Sequence, residues 1–176
     1  PGQNLPGNSQ TGRQVQVNSI SLSGISKKIA AGKKFTLKAK VLPDTADNKS
    51  LSWSSSNKKY ASVDSKGIVA TTKAGKGKSV TITARANDGS GKTGKFKIKI
   101  MKGAVKKVRL TAPKSVKAGR KVTVRAKVTA TKGANKKLKY TVSSKKYAFV
   151  NSKGIVTTKK AGKGKTVKIT AMATDG

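Results

Sequence analysis

The sequence predicts an all-β protein made of two tandem copies of one small module. Three observations support this prediction: the chain repeats itself at a spacing of 87 residues, apolar and polar residues alternate within the repeated blocks, and turn residues recur about every ten positions. No window shows the helical period of an amphipathic helix. We therefore expect antiparallel strands, arranged in each module as a sandwich or a barrel around a compact core.

The repeat is evident in three pairs of segments. AGKKFTLKAKV, from Ala31, matches AGRKVTVRAKV from Ala118. VDSKGIVATT and AGKGKSVTITARANDG match VNSKGIVTTK and AGKGKTVKITAMATDG later in the chain. The repeat predicts an N-terminal linker at residues 1–14, a first domain at 15–101 and a second domain at 102–176. The connection between the two domains is short, so hinge motion should be restricted and the domains should lie roughly end to end.

The strand phases follow from the alternation of apolar and polar residues. In FTLKAKV, alternate residues from Phe35 through Ala39 to Val41 are predicted to face the core from one strand. VTITARA from Val80 and FKIKI from Phe96 predict two more strands of the same kind. Asp-Gly pairs mark turns, because the second residue readily takes a positive φ. About seven strands are expected in the first copy.

The second copy is predicted to lack its last strand. It stops at Gly176, and nothing in it corresponds to Ser90–Ile100 of the first copy. The predicted sheet therefore has an open edge. The strand is supplied either by residues beyond 176, which we favour, or by another molecule that shares a strand at this edge through β-augmentation.

Charge is the strongest compositional feature of the chain. Forty-one Lys and Arg face five acidic residues, all Asp, which gives a formal net charge of +36 with no His. Only five of the basic residues are Arg, and Lys acts as a hydrated point charge rather than as a planar fork. This balance favours diffuse attraction to polyanions over specific recognition.

Other compositional features bound the class of protein. Cysteine is absent, so neither a disulfide nor a thiolate metal site can form. No run of about 18 apolar residues exists, and no membrane insertion is predicted. The opening PGQNLPGNSQTG lacks the charged-then-apolar order of a signal peptide. If the parent protein is secreted, this chain is expected to be an internal piece of it.

The side chains that catalysis requires are nearly missing. Acid–base chemistry needs paired groups with separated pKa values, and the chain offers five scattered Asp and no His. Asp44 and Asp47 share a loop, where a weak calcium contact is the one metal site to consider, but the second copy does not repeat them. Asp88 and Asp175 recur where a turn favours Asp-Gly. We predict no enzyme activity, no cofactor and no metal site.

Three G-K-S or G-K-T sequences begin at Gly77, Gly91 and Gly164. A phosphate-binding loop of this kind needs another Gly five residues earlier and a helix after it. Neither condition is met, since a strand pattern follows each sequence. We predict hairpin turns at all three.

Lysine-rich loops are the remaining candidate binding feature. Tyr60 and Tyr147, each after a Lys-Lys pair, are the best candidates for exposed aromatic residues, although packing in the core is favoured for both, and Phe35 and Phe96 are predicted core residues. The charge is either a solubilising coat or a surface that retains polyanions through counterion release. The candidate polyanion-binding residues are Lys58, Lys59, Lys73, Lys76, Lys78, Lys145, Lys146, Lys159, Lys160, Lys163 and Lys165.

Several motifs together resemble a known family. V-x-x-I-x-L from Val17, AGKKFTL, LSWSSSN, ASVDSKGIV and SVTITA are similar to the consensus of the bacterial group 2 immunoglobulin-like repeat. The resemblance spans residues 17–176, and the second copy departs from it where Trp53 becomes Tyr140. It implies two seven-stranded immunoglobulin-like sandwiches, a fold repeated in bacterial adhesins, surface-layer and cell-wall proteins and accessory regions of enzymes.

Resemblance and charge together predict a non-catalytic structural and adhesive repeat segment of a secreted bacterial protein at the cell surface or in the cell wall. It would hold other domains of the parent protein away from the wall and bind teichoic acid, acidic polysaccharide or glycosaminoglycan. Three alternatives stay open: a module specific for carbohydrate or a host receptor, an accessory domain of a larger surface enzyme, and a non-specific nucleic-acid binder. Fold alone does not choose among them.

Overall fold

The computed structural model describes residues 12–176, so residues 1–11 of the predicted linker lie outside the described part of the chain. Within the described part, the regular structure consists of strands and two single 3-10 turns, Lys73–Gly75 and Lys160–Gly162. Neither turn is long enough to cross a membrane, and no other helix is present in residues 12–176.

The first module contains nine short strands. They are β1 (Ser19–Ser23), β2 (Lys28–Ala30), β3 (Lys34–Thr36), β4 (Lys38–Leu42), β5 (Leu51–Ser55), β6 (Ala61–Val63), β7 (Ile68–Thr71), β8 (Ser79–Ala86) and β9 (Thr93–Met101). The second module contains seven: β10 (Val105–Thr111), β11 (Lys121–Thr123), β12 (Arg125–Ala130), β13 (Leu138–Val142), β14 (Ala148–Val150), β15 (Ile155–Thr158) and β16 (Ile169–Ala173).

The strands of the first module form two layers. One layer is a four-stranded sheet in the order β2-β9-β8-β5, and the other contains the three-stranded sheet β3-β7-β6 and the β1-β4 pair. Strand β2 runs parallel to β9, whereas the remaining pairs are antiparallel. The nine segments amount to seven strand paths if β1 with β2, and β3 with β4, are each read as one interrupted strand. The module is a sandwich rather than a barrel.

The strand predicted from Phe35 to Val41 is interrupted at Leu37. Segment β3 pairs with β7 and β4 pairs with β1, while the Leu37 N–H donates to the Gly67 carbonyl. Gly67 has φ of +77°, and a Cβ there would lie 2.9 Å from the Leu37 oxygen. This close backbone approach breaks the regular alternation. The prediction that Ala39 faces the core is wrong, because Ala39 is exposed.

The core of the first module lies between its two layers. Its largest cluster includes the fully buried Ile29, Ile82, Ile98 and Ile100. Phe35 and Phe96 are also buried, which confirms their predicted place in the core. Burying each such side chain contributes about 1.5–3 kcal/mol relative to leaving it exposed. The alternation of isoleucine with lysine along β9 therefore fixes which of its faces points inward.

The second module repeats this layout without counterparts of β2 and β9. Its sheets are the β10-β12 pair, the β13-β16 pair and the three-stranded β11-β15-β14. The buried core cluster reduces to Val124, Ala148 and Val156. Val167 and Ile169, which match the buried Val80 and Ile82 of the first module, are only half-buried. The same sequence pattern thus yields a smaller core.

Direct contacts join the two modules. The Asn135 side-chain amide donates to the Lys28 carbonyl at 3.0 Å, and the Ala30 N–H donates to the Asp175 carbonyl at 2.7 Å. Gly103 in the connection is buried, and a Cβ there would collide with the Lys132 carbonyl. These contacts add to the restraint that a short connection imposes.

Candidate polyanion-binding loops

Five candidate lysines of the first module lie on two adjoining loops, which we call loop surface 1. They are Lys58 and Lys59 on the β5–β6 loop and Lys73, Lys76 and Lys78 on the β7–β8 loop, and all five are exposed. Thr72 joins the two loops. Its backbone N–H donates to the Tyr60 carbonyl at 2.9 Å, and the Thr72 hydroxyl donates to the Lys59 carbonyl at 2.7 Å. Two sequence-distant lysine groups therefore meet on one surface.

The corresponding loops of the second module form loop surface 2. It carries Lys145, Lys146, Lys159, Lys160, Lys163 and Lys165, all exposed. The Lys159 N–H donates to the Tyr147 carbonyl at 2.8 Å, and the Lys159 ammonium donates to the Lys145 carbonyl at 2.6 Å. The Lys146 ammonium lies 5.7 Å from the centre of the Tyr147 ring, within range of a cation–π contact. Hydrogen bonds to Lys145 and Tyr147 thus hold Lys159 in place on this surface.

Two of the three G-K-S/T sites are not hairpins, contrary to the prediction. Gly77 lies between β7 and β8, which belong to different sheets, and Gly164 holds the equivalent position between β15 and β16. Their φ values of +76° and +69° explain why glycine is used there. Gly91 does lie in a hairpin, between β8 and β9. No helix follows any of the three, so none can cradle a phosphate at a helix N-terminus.

Four of the five Asp carboxylates serve as acceptors for backbone N–H groups. These hydrogen bonds join Asp47 to Val15 at 2.7 Å, Asp64 to Lys66 and Ile68 at 2.9 Å, Asp88 to Val17 at 2.6 Å, and Asp175 to Val105 at 2.7 Å. Within residues 12–176, no three acidic, histidine or cysteine side chains gather where they could hold a metal ion. The described residues contain no pair of groups arranged for acid–base catalysis.

Asp88 and Asp175 do more than form turns. Each side chain binds the N–H of the residue that leads into its own module, Val17 and Val105 respectively. Hydrogen bonds from the Ser90 hydroxyl and from the Val17 N–H lower the pKa of Asp88 from its ordinary value. The recurrence of Asp-Gly at the repeat spacing is the sequence signal that could have identified these two hydrogen bonds.

One exposed aromatic residue was missed by sequence reasoning. Tyr60 and Tyr147 are half-buried, whereas Phe149 on β14 is 57% exposed. Phe149 pairs with Thr157, which in turn pairs with Lys121, so the three form one row across the sheet. The first copy has Ser62 at this position, and that difference between the copies is the only sequence signal for it.

A second basic surface lies on the outer face of β9. Lys95, Lys97 and Lys99 are exposed on this face, spaced by about 6.6–6.8 Å as alternate residues of a strand are. Thr81 and Thr83 of β8 lie beside them in the same sheet. The charge therefore covers sheet faces as well as loops, and the loop surfaces hold only part of it.

The profile of the bacterial Ig-like domain (group 2) family matches the chain twice, at residues 16–103 and 104–176. The chain therefore belongs to this family, and its two modules are tandem immunoglobulin-like β-sandwiches, as the sequence predicted.

Relatives of the chain are much longer proteins. An uncharacterized protein of Clostridium acetobutylicum is 32% identical over 162 residues, which cover 92% of this chain and 16% of that protein. The kappa-carrageenase of Pseudoalteromonas carrageenovora is 38% identical over 86 residues, 49% of this chain and 21% of the enzyme. The match in a 3-O-alpha-D-galactosyl-alpha-L-arabinofuranosidase of Bifidobacterium longum covers 8% of that enzyme at 31% identity. Domains of this kind thus accompany carbohydrate-active enzymes.

Two solved structures are similar to parts of this chain. An intimin mutant of EHEC O157:H7 is 25% identical, covers 53% of this chain and 54% of its own, and gives a TM-score of 0.39. The surface-layer protein rSbsC is 14% identical, covers 91% of this chain and 27% of its own, and gives a TM-score of 0.35.

Proposed function

We propose that this chain is a non-catalytic spacer segment of a secreted bacterial cell-surface protein, and that its lysine loops attach it to anionic polymers such as teichoic acid or acidic polysaccharide. The supporting observation is loop surface 1, where contacts through Thr72 bring five exposed lysines together. Asp64, the acidic residue nearest to them in sequence, accepts backbone N–H groups of its own turn.

The mechanism is electrostatic. Lysines that neutralise charges along a polymer release its condensed counterions, so affinity falls steeply with salt and depends little on polymer sequence. The five lysines of loop surface 1 and the six of loop surface 2 are enough for a measurable salt slope, since each neutralised charge contributes about one unit. The direct contacts between the modules would hold the two loop surfaces in a fixed relation, which favours simultaneous attachment to one polymer.

Binding of the chain to lipoteichoic acid, heparin, double-stranded DNA and a neutral glucan at about 50, 150 and 500 mM salt tests this proposal. We expect all three polyanions to bind at low salt and to be released together. The triple variant Lys73→Gln, Lys76→Gln and Lys78→Gln should lower the salt slope by about 2–3 units.

A charge-matched control is available on the same module. Arg85→Gln, Lys95→Gln and Lys97→Gln remove the same number of charges from the outer face of β8 and β9. Lys99 is left in place because its ammonium donates to the Gly77 carbonyl of the β7–β8 loop at 2.9 Å. If the two triple variants weaken binding equally, attachment is diffuse and loop surface 1 is not its site. If the polyanions do not bind even at low salt, the adhesive part of the proposal fails and only a spacer is left.

A second candidate function is favoured by one observation. Phe149 is an exposed aromatic side chain beside Thr157 and Lys121, and two relatives of the chain are carbohydrate-active enzymes. An exposed ring of this kind offers a stacking platform for a sugar. Binding to the neutral glucan that survives high salt would favour this accessory role over the electrostatic one.

A further inference from the structure

A cleft of about 470 Å³ lies between the two modules, and we call it the junction cleft. One wall is the loop between β1 and β2, which contributes Ile25, Ser26 and Lys27. The other wall is formed by β13 and the end of β14, each at an edge of its own sheet, so that side chains from both faces of β13 border the cleft. The volume is typical of small-molecule sites, which occur preferentially between domains.

Hydrogen bonds between the modules hold the two walls of the cleft together. The Asn135 side-chain amide lies 3.3 Å from the Ser26 hydroxyl and 3.0 Å from the Lys28 carbonyl of the first module. The same amide lies 3.2 Å from the Thr174 hydroxyl of the second module. The cleft is therefore formed before any ligand binds, and binding requires little ordering of the protein.

Charge distinguishes the second-module wall of the cleft from the same positions of the first module. The three positions that differ in charge are Lys137 for Ser50, Lys139 for Ser52 and Asn151 for Asp64. Their formal charge changes from −1 (two Ser and one Asp) to +2 (two Lys and one Asn). Lys27 adds a third ammonium from the opposite wall, and none of the described residues that line the cleft is acidic. The cleft is therefore complementary to an anion.

The turn that holds Asn151 does not itself require the loss of a carboxylate. The Asn151 Oδ1 accepts the N–H groups of Lys153 at 2.9 Å and Ile155 at 3.0 Å. Asp64 accepts the corresponding N–H groups of the first module at 2.9 Å. Asparagine therefore keeps the turn, removes a negative charge from the cleft and leaves an amide nitrogen as an additional donor.

Tyr140 gives the cleft an aromatic wall. It is half-buried and lines the cleft at the position where the first module has Trp53. A Cβ on Gly154 would lie 3.2 Å from the Tyr140 ring, so the ring packs against the Gly154 backbone. An aromatic ring that also carries a hydroxyl suits a ligand with both an apolar face and hydroxyl groups, and sugars have both.

We infer that the junction cleft binds one acidic sugar unit of a polysaccharide, with its carboxylate or sulfate group beside Lys137 and Lys139 and its ring against Tyr140. The Asn151 amide donates to the same ligand. The positive lining favours an acidic sugar over a neutral one, and the aromatic wall favours a sugar over a bare anion. The cleft shares no residue with either loop surface, so this inference does not rest on the attachment of polyanions through those loops.

The test is a titration of the full chain, followed by NMR of its backbone amides at about 150 mM salt. Digalacturonate and galactose sulfate supply the two kinds of anion, the methyl ester of digalacturonate is the neutral sugar, and inorganic sulfate is the bare anion. We expect at least one acidic sugar to shift the N–H signals of Lys27 and Asn151, one on each wall. It should bind at least about tenfold more tightly than the ester or inorganic sulfate. The N–H signals of Lys58 and Lys73 on loop surface 1 serve as the reference.

The triple variant Lys137→Ser, Lys139→Ser and Asn151→Asp carries the residues of the first module and is therefore expected to keep the fold. It should weaken binding of the acidic sugar by at least about tenfold. A matched control removes three charges from exposed positions of the second module outside the cleft, by Lys106→Ser, Lys127→Ser and Lys168→Ser. The control should weaken binding by less than about twofold, because salt screens distant charges. Asn151→Asp alone, which keeps the hydrogen bonds of its turn, should weaken binding by about threefold.

Four results would overturn the inference. Equal losses in the triple variant and the control would mean that binding follows net charge and not the cleft. Equal binding of the neutral ester would remove the role of the lysines, and equal binding of inorganic sulfate would leave an anion site without sugar recognition. Unchanged Lys27 and Asn151 signals with both acidic sugars would show that the cleft does not bind them. None of these results bears on the release of long polyanions from the loop surfaces by salt.

Discussion

The two modules share a sequence pattern but not a core. Ile82 of the first module is fully buried, whereas Ile169, its counterpart in the second, is half-buried. Ile29 is fully buried, and its counterpart Val116 is 41% exposed. Both differences trace to β9, which covers these positions in the first module and has no counterpart among residues 104–176. Burial is therefore set by a strand that is distant in sequence, not by the local pattern alone.

The largest effect is expected from truncating the matched isoleucines. Ile82→Ala should lower the free energy of unfolding of the first module by about 2–5 kcal/mol, because it leaves a cavity in a closed core. Ile169→Ala should cost the second module less than about 1.5 kcal/mol, since its side chain is only half-buried. Denaturant unfolding followed by Trp53 fluorescence reports on the first module, and amide exchange reports on the second. Equal costs would contradict the contrast between the cores.

A smaller effect is expected at a matched pair of glycines. A Cβ on Gly75 would lie 2.5 Å from the Ile100 side chain and 2.9 Å from the Tyr60 carbonyl. On Gly162 the nearest atom would be the Tyr147 carbonyl at 3.1 Å, because the described residues place no strand like β9 beside it. Gly75→Ala should therefore destabilise its module by about 1–3 kcal/mol through overpacking.

For Gly162→Ala the cost should stay below about 1 kcal/mol. Thermal unfolding of the two variants measures the difference. If Gly162→Ala proves as costly as Gly75→Ala, the loop backbone rather than β9 would require glycine at both positions.

The smallest effect concerns the pH dependence of the first module. The pKa of Asp88 is lowered in the folded protein by its hydrogen bonds with Ser90 and Val17. A lowered pKa means that the ionised group stabilises the fold above its unfolded value of about 3.9, and that this contribution is lost as pH falls through the folded value. Asp88→Asn should therefore flatten the fall in Tm below about pH 4. If Tm depends on pH in the same way in the variant and the parent protein between about pH 2 and pH 5, the stabilising role of the Asp88 hydrogen bonds is contradicted.

The fold could be predicted because the repeat and the alternation of apolar and polar residues can be read directly from the sequence. Phe35 and Phe96 lie in the core as their phase predicted. Ala39 does not, because the backbone of Gly67 approaches Leu37 from another strand, which no pattern within the strand records. The exposure of Phe149 was missed for a related reason, since aromatic residues on strands are usually packed.

The candidate lysines were identified from composition, but their grouping was not. Lys59 and Lys73 lie on separate loops, and it is the hydrogen bonds of Thr72 with Lys59 and Tyr60 that place those loops side by side. Contacts of this kind depend on how the sheets pack. The sequence alone therefore predicted charged loops without predicting a surface.

The parallel pairing of β2 with β9 has a consequence for mechanical load. The path of the chain enters the first module near β1 and β2 and leaves it through β9, so tension on the two ends slides β2 and β9 past each other. Their hydrogen bonds then bear the load together rather than opening one at a time. Under tension the first module is therefore expected to hold until the whole pairing of β2 with β9 breaks.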